Sequence, residues 1–184
     1  MIALVLCISL AGGATAQSAD SSESSEYLIK AGFIYNFAQL VQWPQAAFSQ
    51  ADSPIIIGIL GTDPFGETID RVVQGKKLEG RSLVVKRLKR GASLRGCNIL
   101  FVSSSEAAHL EEVLQSTKNL PILTIGEMPN FAVRGGIINL TVEGNKVRFE
   151  VNIEAAKQAN LNISSRLLAL ARIVPQAGDG KKSE

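Results

Sequence analysis

The 184-residue sequence is poor in the residue types on which disulfide scaffolds and metal centres depend, with two cysteines and one histidine. Cys7 lies in an N-terminal run that we expect to be removed, so Cys97 is the single cysteine of the mature chain. A single thiol excludes an intramolecular disulfide. Cys97 opens the apolar run 97–102, which indicates a buried thiol. No cluster of His and Cys has zinc-ligand spacing, and we expect neither a metal nor a cofactor.

The N-terminus also lacks charge, and it carries an apolar run at residues 2–10 followed by the small-residue triplet at residues 14–16. This pattern is typical of a secretory signal peptide, because signal peptidase accepts small side chains near the bond that it cleaves. We therefore predict a signal peptide at residues 1–16 and a mature chain that begins at Gln17 outside the cytoplasm. A membrane anchor is the alternative, disfavoured because a spanning helix needs about 20 apolar residues.

The rest of the chain divides into three parts by composition. Residues 17–25 are rich in Ser, Asp and Glu, and we predict a flexible leader in which Ser24 or Ser25 caps the first helix. Residues 26–174 are predicted to form one domain, because their length suits a single compact core. Residues 175–184 are polar and are predicted to be a disordered tail.

Strands and helices alternate along the domain. Apolar periodicity and turn residues predict helices at 26–42, 64–73 and 103–117, and strands at 55–60, 82–88, 98–102 and 121–125. Asp63 is predicted to be the N-cap of the second helix, and Ser103 with Glu106 has the spacing of a capping box. This alternation predicts an α/β fold, a single domain with a mostly parallel sheet and helices on both faces.

The pattern changes after residue 137 to strict alternation of apolar and polar residues on both sides of Gly144 and Asn145. A two-residue turn there predicts an antiparallel C-terminal hairpin that pairs 142 with 147, 140 with 149 and 138 with 151. Helices are predicted at 153–158 and 164–174. The second would turn Leu167, Leu170 and Val174 inward.

Charge is unevenly distributed, although the net charge is only +2. Residues 71–95 hold nine basic side chains and one acidic side chain, which gives this segment, the basic stripe, a local charge of +8. The stripe could meet an acidic partner or anionic lipid, or it could be a sheet edge kept soluble by Lys and Arg. We expect no nucleic-acid partner, because aromatic residues do not interleave with these charges.

Residues that could support catalysis are scattered. The loop 61–68 imitates a phosphate-binding loop, but Glu67 stands where the lysine is needed and would repel phosphate. Serines 103–105 lack the flanking residues of a nucleophile elbow. His109 sits in a predicted helix among glutamates, which favours a solvated side chain over a general base. We therefore do not expect an enzyme.

Several blocks of the sequence resemble one known family. The blocks are YLIKAGFIYNF (27–37), WP (43–44), GTDPFG (61–66), RGCNILFVS (95–103), GGIINL (135–140), EGNKVRFEVN (143–152) and ISSRLL (163–168). In this order they resemble the YfiR-like family of exported bacterial proteins. The resemblance implies a periplasmic, non-catalytic α/β domain that binds the periplasmic sensor region of an inner-membrane diguanylate cyclase. Such binding lowers cyclic di-GMP and biofilm formation.

Two classes of function follow from these observations. The first is a periplasmic repressor that stabilises the inactive state of a membrane sensor, with a homodimer as a further arrangement left open. The second is a periplasmic small-ligand-binding protein that reports to an envelope sensor or transport system. Ligands favour the carboxyl ends of parallel strands, here near residues 61–66 and 103–105.

The candidate partner-binding residues come from the predicted C-terminal geometry. If the apolar row of the hairpin faces the core, the opposite row, which includes Glu150, is left polar. The predicted final helix turns Arg166 and Arg172 toward solvent. We expect Glu150, Arg166 and Arg172 to lie on the partner surface together with apolar anchors.

Overall fold

The computed structural model describes residues 16–175, with side chains for residues 24–175. The predicted signal peptide, except for Ala16, and the predicted tail, except for Pro175, lie outside the described residues. In the described part of the chain, no helix is both long and apolar enough to cross a membrane.

Between residues 16 and 175 the chain forms five α-helices and ten strands, several of them very short. The helices are α1 (Ala16–Leu40), α2 (Thr68–Val73), α3 (Leu110–Thr117), α4 (Ile153–Gln158) and α5 (Ser165–Leu168). The strands are β1 (Val41–Gln42), β2 (Ile55–Leu60), β3 (Lys77–Leu78), β4 (Arg81–Leu88), β5 (Ile99–Val102), β6 (Leu123–Gly126), β7 (Ile138–Glu143), β8 (Lys146–Val151), β9 (Asn162–Ile163) and β10 (Arg172–Ile173). The chain also forms two 3₁₀ segments, Gln45–Ala47 after β1 and Ser104–His109 after β5.

Eight strands form one mixed sheet in the order β10-β8-β7-β6-β5-β2-β4-β3. The strands β4, β2, β5, β6 and β7 run parallel to one another, whereas β3 and β8 at the two ends of this group are antiparallel to it. Strand β4 lies on one side of β2, and the next long strand, β5, lies on the other side. The direction in which the chain adds strands therefore reverses between β2 and β5. Carboxyl ends of strands at such a switch are where open α/β sheets usually bind ligands.

The C-terminal hairpin has the predicted register. Val142 pairs with Val147, Leu140 with Phe149 and Ile138 with Val151. Gly144 and Asn145 both have positive φ, +54° and +61°. Positive φ at both central residues is the requirement of a type I′ turn, whose twist matches that of the two strands. The turn residues and the alternation therefore specify the same pairing.

The core has two parts, one on each face of the sheet. Helices α1, α2, α4 and α5 cover one face, and α3 covers the other. On the first face Phe149 of the hairpin contacts two rings of α1, with ring centroids 5.6 Å from Phe33 and 5.0 Å from Phe37. These contacts fix α1 against the hairpin, since aromatic pairs at this distance add to the burial of apolar area. The structure thus confirms an α/β fold with helices on both faces.

The first helix extends further than the sequence predicted at its N-terminal end and stops earlier at its C-terminal end. It begins at Ala16 and not at Glu26, so the prediction that Ser24 or Ser25 caps it is wrong. A helix already nucleated by packing propagates at little cost, which explains its continuation through residues 17–25. It ends at Leu40 because Val41 and Gln42 pair with β9 in a small antiparallel sheet.

The second helix begins later than predicted, at Thr68, and Asp63 is not its N-cap. The Asp63 carboxylate instead accepts a hydrogen bond from the Phe65 backbone N–H at 2.8 Å, which closes a turn. Its other oxygen accepts from Arg87 Nε at 2.9 Å. Asp63 therefore stabilises the loop before α2 by binding β4, which the local sequence does not reveal.

The predicted helix at residues 103–117 begins as a 3₁₀ segment and becomes α-helical at Leu110. Ser103 is the N-cap, as predicted, and its side chain accepts from the Ser105 N–H. Glu106 does not complete a capping box, because its buried carboxylate accepts a hydrogen bond from Arg90 Nε at 2.8 Å. Glu106 therefore pairs with Arg90, which lies outside the helix, and Ser103 alone caps the segment.

The predicted helix at residues 164–174 is wrong. Only Ser165–Leu168 is helical, and Arg172–Ile173 forms β10, which is parallel to β8. Leu167 is buried as expected, whereas Leu170 is 74% exposed. The sheet edge offers backbone partners that a longer helix would not use, such as Val151 C=O, which accepts from Val174 N–H at 3.0 Å. Tertiary pairing overrides the helical periodicity here.

Cys97 is 7% exposed, which confirms its predicted burial, and burial raises the pKa of its thiol. A raised pKa keeps the thiol protonated and unreactive near neutral pH. We expect native protein to react slowly with a polar maleimide and denatured protein to react fast. Rapid labelling of the native protein, followed by mass spectrometry, would contradict this placement.

Replacing Asp63 by Ala removes both contacts of the loop and is expected to cost about 1 kcal/mol of unfolding free energy. Asp63→Asn is the matched control, because it keeps the oxygen that accepts from Phe65 and loses the charge that pairs with Arg87. The Asn variant should retain part of the stability. Chemical denaturation measures both, and equal losses would show that the turn bond does not contribute.

Candidate functional site

The structure brings together two of the three predicted partner-binding residues. Glu150 on β8 and Arg172 on β10 are direct neighbours in the parallel pairing, and the Arg172 guanidinium donates a hydrogen bond to the Glu150 carboxylate. Arg166 lies apart from them on exposed α5, where its backbone N–H donates to Ser164 Oγ at 3.3 Å.

Glu150 is not the solvent-facing residue that the hairpin pattern predicted, since it is only 8% exposed. Asn139, its partner across the hairpin, is 2% exposed and donates from Nδ2 to Glu150 Oε2 at 3.0 Å. The polar row is covered at this point because β10 adds to the edge and brings Arg172 over the carboxylate. The alternation correctly predicted a separate polar face, but it could not show what covers that face.

Arg172 is held by two carboxylates. Besides Glu150, the side chain of Glu143 lies 3.8 Å from the Arg172 guanidinium. The hydrogen bond with Glu150 raises the pKa of Arg172 above its ordinary value. The Arg172 side chain is nevertheless 63% exposed, so one side of the guanidinium faces solvent in a fixed position.

Two large apolar side chains near Arg172 in the sequence are exposed. Leu170, which precedes β10, is 74% exposed, and Ile173, which follows Arg172 within β10, is 47% exposed. We call the set of Arg166, Leu170, Arg172 and Ile173 the β10 edge surface. Arginine is among the residue types that supply most of the energy at protein interfaces.

The switch point of the sheet, where a small ligand was expected, is occupied by the chain itself. Gly61 has φ +92°, and a Cβ there would lie 2.4 Å from Ser105 Oγ. That hydroxyl accepts a hydrogen bond from the Thr62 N–H at 2.9 Å. Gly61 and Thr62 are therefore packed directly against Ser105 at this switch point.

Several charges of the basic stripe are engaged within the domain. Arg87 contacts Asp63 and Asp70, and the hydrogen bond from Arg87 lowers the pKa of Asp70. Arg81 and Lys76 lie over the rings of Phe48 and Tyr35, at 3.8 Å and 4.0 Å from the centroids. Within the described residues, β3 pairs with β4 only at Arg81 and Ser82. The rest of β4 is therefore an open edge of the sheet, and its basic side chains lie along that edge. Charged side chains at such an edge oppose aggregation.

The sequence analysis missed a buried charge cluster at the middle of α1. Lys30 is 4% exposed, and its ammonium lies 2.7 Å from Glu127 Oε2 and 2.5 Å from Glu26 Oε1. Burial lowers the pKa of Lys30, but the hydrogen bonds with both glutamates outweigh burial and raise the pKa overall. Lys30 lies next to Ala31 and one helical turn before Ile34, both of which are buried. This position among apolar residues of α1 could have indicated from the sequence that Lys30 is buried.

Metal-ligand groups do not converge in the described part of the chain. Within residues 16–175, no three His, Cys, Asp and Glu side chains are placed to hold a metal ion. His109 ends the 3₁₀ segment and is half-buried, and its Nδ1 lies 3.8 Å from Glu112 of α3.

The fold is an α/β domain with a mixed, mostly parallel sheet and helices on both faces. Comparison with known protein families matches residues 27–172 to the family described as YfiR/HmsC-like, which covers nearly all of the described domain. The chain therefore belongs to the YfiR/HmsC-like family. This is a family of periplasmic regulators, so the comparison supports a regulatory role.

Replacing Glu150 by Lys is expected to lower the melting temperature, because the buried amide of Asn139 loses its acceptor. Leaving a buried polar group unsatisfied costs about 1–3 kcal/mol. Arg166→Glu on exposed α5 is the control and should change stability by no more than about 0.5 kcal/mol. Thermal unfolding followed by circular dichroism measures both. A Glu150→Lys variant as stable as the wild type would contradict the buried placement of Glu150.

Proposed function

We propose that this protein is an exported regulator that binds the periplasmic region of an inner-membrane diguanylate cyclase and represses it. Repression would lower cyclic di-GMP and biofilm formation. The observation that carries the proposal is membership of the YfiR/HmsC-like family over residues 27–172. The apolar N-terminal run and the small-residue triplet at residues 14–16 support export through a cleaved signal peptide.

A repressor of this kind acts through differential binding. It shifts its partner toward the inactive conformation only if it binds that conformation more tightly than the active one. A protein surface that supports this role needs side chains in fixed positions, so that a small change in the partner changes the contacts. Arg172, held by Glu150 and Glu143, meets this requirement.

The β10 edge surface is the part of the domain that we assign to the partner. Leu170 and Ile173 supply the apolar contacts, and Arg166 and Arg172 supply the charges. Glu150 contributes indirectly, because it is buried and orients the Arg172 guanidinium. The basic stripe is the alternative surface, although its residues Arg87 and Arg90 are already paired with carboxylates of the domain.

Export gives the first test of the proposal. N-terminal sequencing of the protein recovered from the periplasm should find a chain that starts at or near Gln17. Protein that still begins at Met1 and sediments with the membranes would contradict cleavage and export.

The partner surface is tested in a cyclic di-GMP reporter strain that lacks the native gene. Expression of the wild-type chain should restore repression, whereas Arg166→Glu and Leu170→Asp should abolish most of it at an unchanged melting temperature. Both residues are exposed, so the substitutions are expected to change stability by no more than about 0.5 kcal/mol.

Two further variants complete this experiment. Lys118→Glu is the matched control, an exposed charge reversal after α3, and it should repress like the wild type. Arg95→Glu tests the basic stripe. If Arg95→Glu releases the cyclase while Arg166→Glu and Leu170→Asp still repress, the partner surface is the basic stripe and not the β10 edge surface.

A further inference from the structure

The outer side of β4 is a sheet edge that the domain leaves open over most of its length. Strand β3 pairs with β4 at Arg81 and Ser82 alone, whereas β4 continues to Leu88. Residues 83–88 pair with β2 on their inner side. Within residues 16–175, no strand pairs with their outer side. We call residues 83–88 the β4 edge.

The backbone groups of the β4 edge alternate between β2 and the outside. Leu88 C=O accepts a hydrogen bond from Gly61 N–H at 3.2 Å, so the backbone groups of Leu88 face β2. Because this direction alternates along a strand, Leu83, Val85 and Arg87 turn their N–H and C=O groups outward. Among the described residues, no backbone group bonds to these outward groups. Such a row of free donors and acceptors is a template for an added strand.

A groove lies beside the β4 edge on the face of the sheet that α2 covers. It has a volume of about 400 Å³, and its apolar lining residues are Val73, Leu83 and Val85. Its polar lining residues are Glu67, Asp70, Arg71 and Gln74. A strand added to the β4 edge would turn every second side chain toward this groove. Apolar side chains suit these positions, because they can pack against the three apolar residues and Glu67 would repel a carboxylate.

The opposite face of the β4 edge carries free positive charge. Arg87 points to the groove side, where Asp63 and Asp70 hold it. Lys86 points to the opposite face, beside the exposed Val84, and forms no ion pair among the described residues. A second copy of this edge would bring another lysine to the same face, and like charges across a strand pair are destabilising. A strand that carries carboxylates on this face is favoured instead.

We propose that the β4 edge binds an extended acidic segment of another protein as an added strand. Carboxylate and apolar side chains alternate in this segment. The carboxylates lie on the Lys86 face, the apolar side chains lie in the groove beside α2, and the backbone pairs with Leu83, Val85 and Arg87. The β4 edge and β10 lie toward opposite ends of the sheet, so this surface is separate from the one assigned to the cyclase. The proposal therefore goes beyond the proposed repression.

Isothermal titration calorimetry of the purified protein with capped synthetic peptides tests the proposal. The peptide EVEVEVE has the required alternation and should bind. EEEEVVV is the matched probe, because it has the same composition without the alternation, and it should bind at least about tenfold more weakly. KVKVKVK reverses the charge and should not bind. No binding of EVEVEVE, equal binding of EEEEVVV, or binding of KVKVKVK would overturn the proposal.

Amide hydrogen exchange followed by NMR locates the added strand. Saturating EVEVEVE should slow the exchange of the Val85 and Arg87 N–H groups, because both become hydrogen-bonded to the peptide. Unchanged exchange at these two amides would place the peptide elsewhere and overturn the assignment. Slower exchange at the same amides on raising the concentration of the protein alone would show that a second copy occupies the edge, which would also overturn it.

Two variants test the backbone and the charge separately. Val85→Pro removes an outward N–H, and proline is tolerated where the N–H of an edge strand faces outward. Lys86→Glu reverses the exposed charge on the carboxylate face. Each should weaken binding of EVEVEVE at least about tenfold, the effect of one hydrogen bond or charge pair. Lys118→Glu, the same reversal at an exposed residue outside the edge, is the control and should bind like the wild type.

Circular dichroism checks that Val85→Pro is folded, and Lys86→Glu decides the outcome if it is not. Unchanged binding by Lys86→Glu, or by folded Val85→Pro, would overturn the proposal. These measurements need no membrane partner. Failure of strand addition would therefore leave the proposed regulation of the cyclase untouched, and failure of that regulation would leave strand addition untouched.

Discussion

Leu140 stands opposite Phe149 in the β7–β8 hairpin, and both the packing of α1 and the environment of Glu150 depend on this register. On one face it places Phe149 against the aromatic rings of α1. On the other face it places Asn139 opposite Glu150, where the amide binds the carboxylate. A slip of one residue would exchange the two faces and expose the aromatic residue. The type I′ turn at Gly144 and Asn145 and the burial of Phe149 both oppose that slip.

Buried charge is concentrated in two places at this end of the sheet, Lys30 with its glutamates and Glu150 with Arg172. Burying ion pairs in this way adds little stability, because the cost of removing charges from water offsets their attraction. What these pairs supply is position, since Glu150 holds the Arg172 guanidinium at the sheet edge. A polar network of this kind is consistent with a domain whose role is to bind.

The amino-acid sequence by itself determined those features that depend on neighbouring residues. Alternating side chains and a Gly-Asn turn specified the hairpin, β-branched runs specified the buried strands, and the apolar run after Cys97 specified burial of its thiol. Tertiary structure decided the rest. Residues 172–173 became a strand because β8 offered an edge, Asp63 left its expected cap position because Arg87 lay across from it, and Lys30 could be buried because Glu127 reached it from 97 residues away in the chain. Periodicity and turn chemistry act over a few residues, whereas these contacts exist only after the sheet has brought distant segments together.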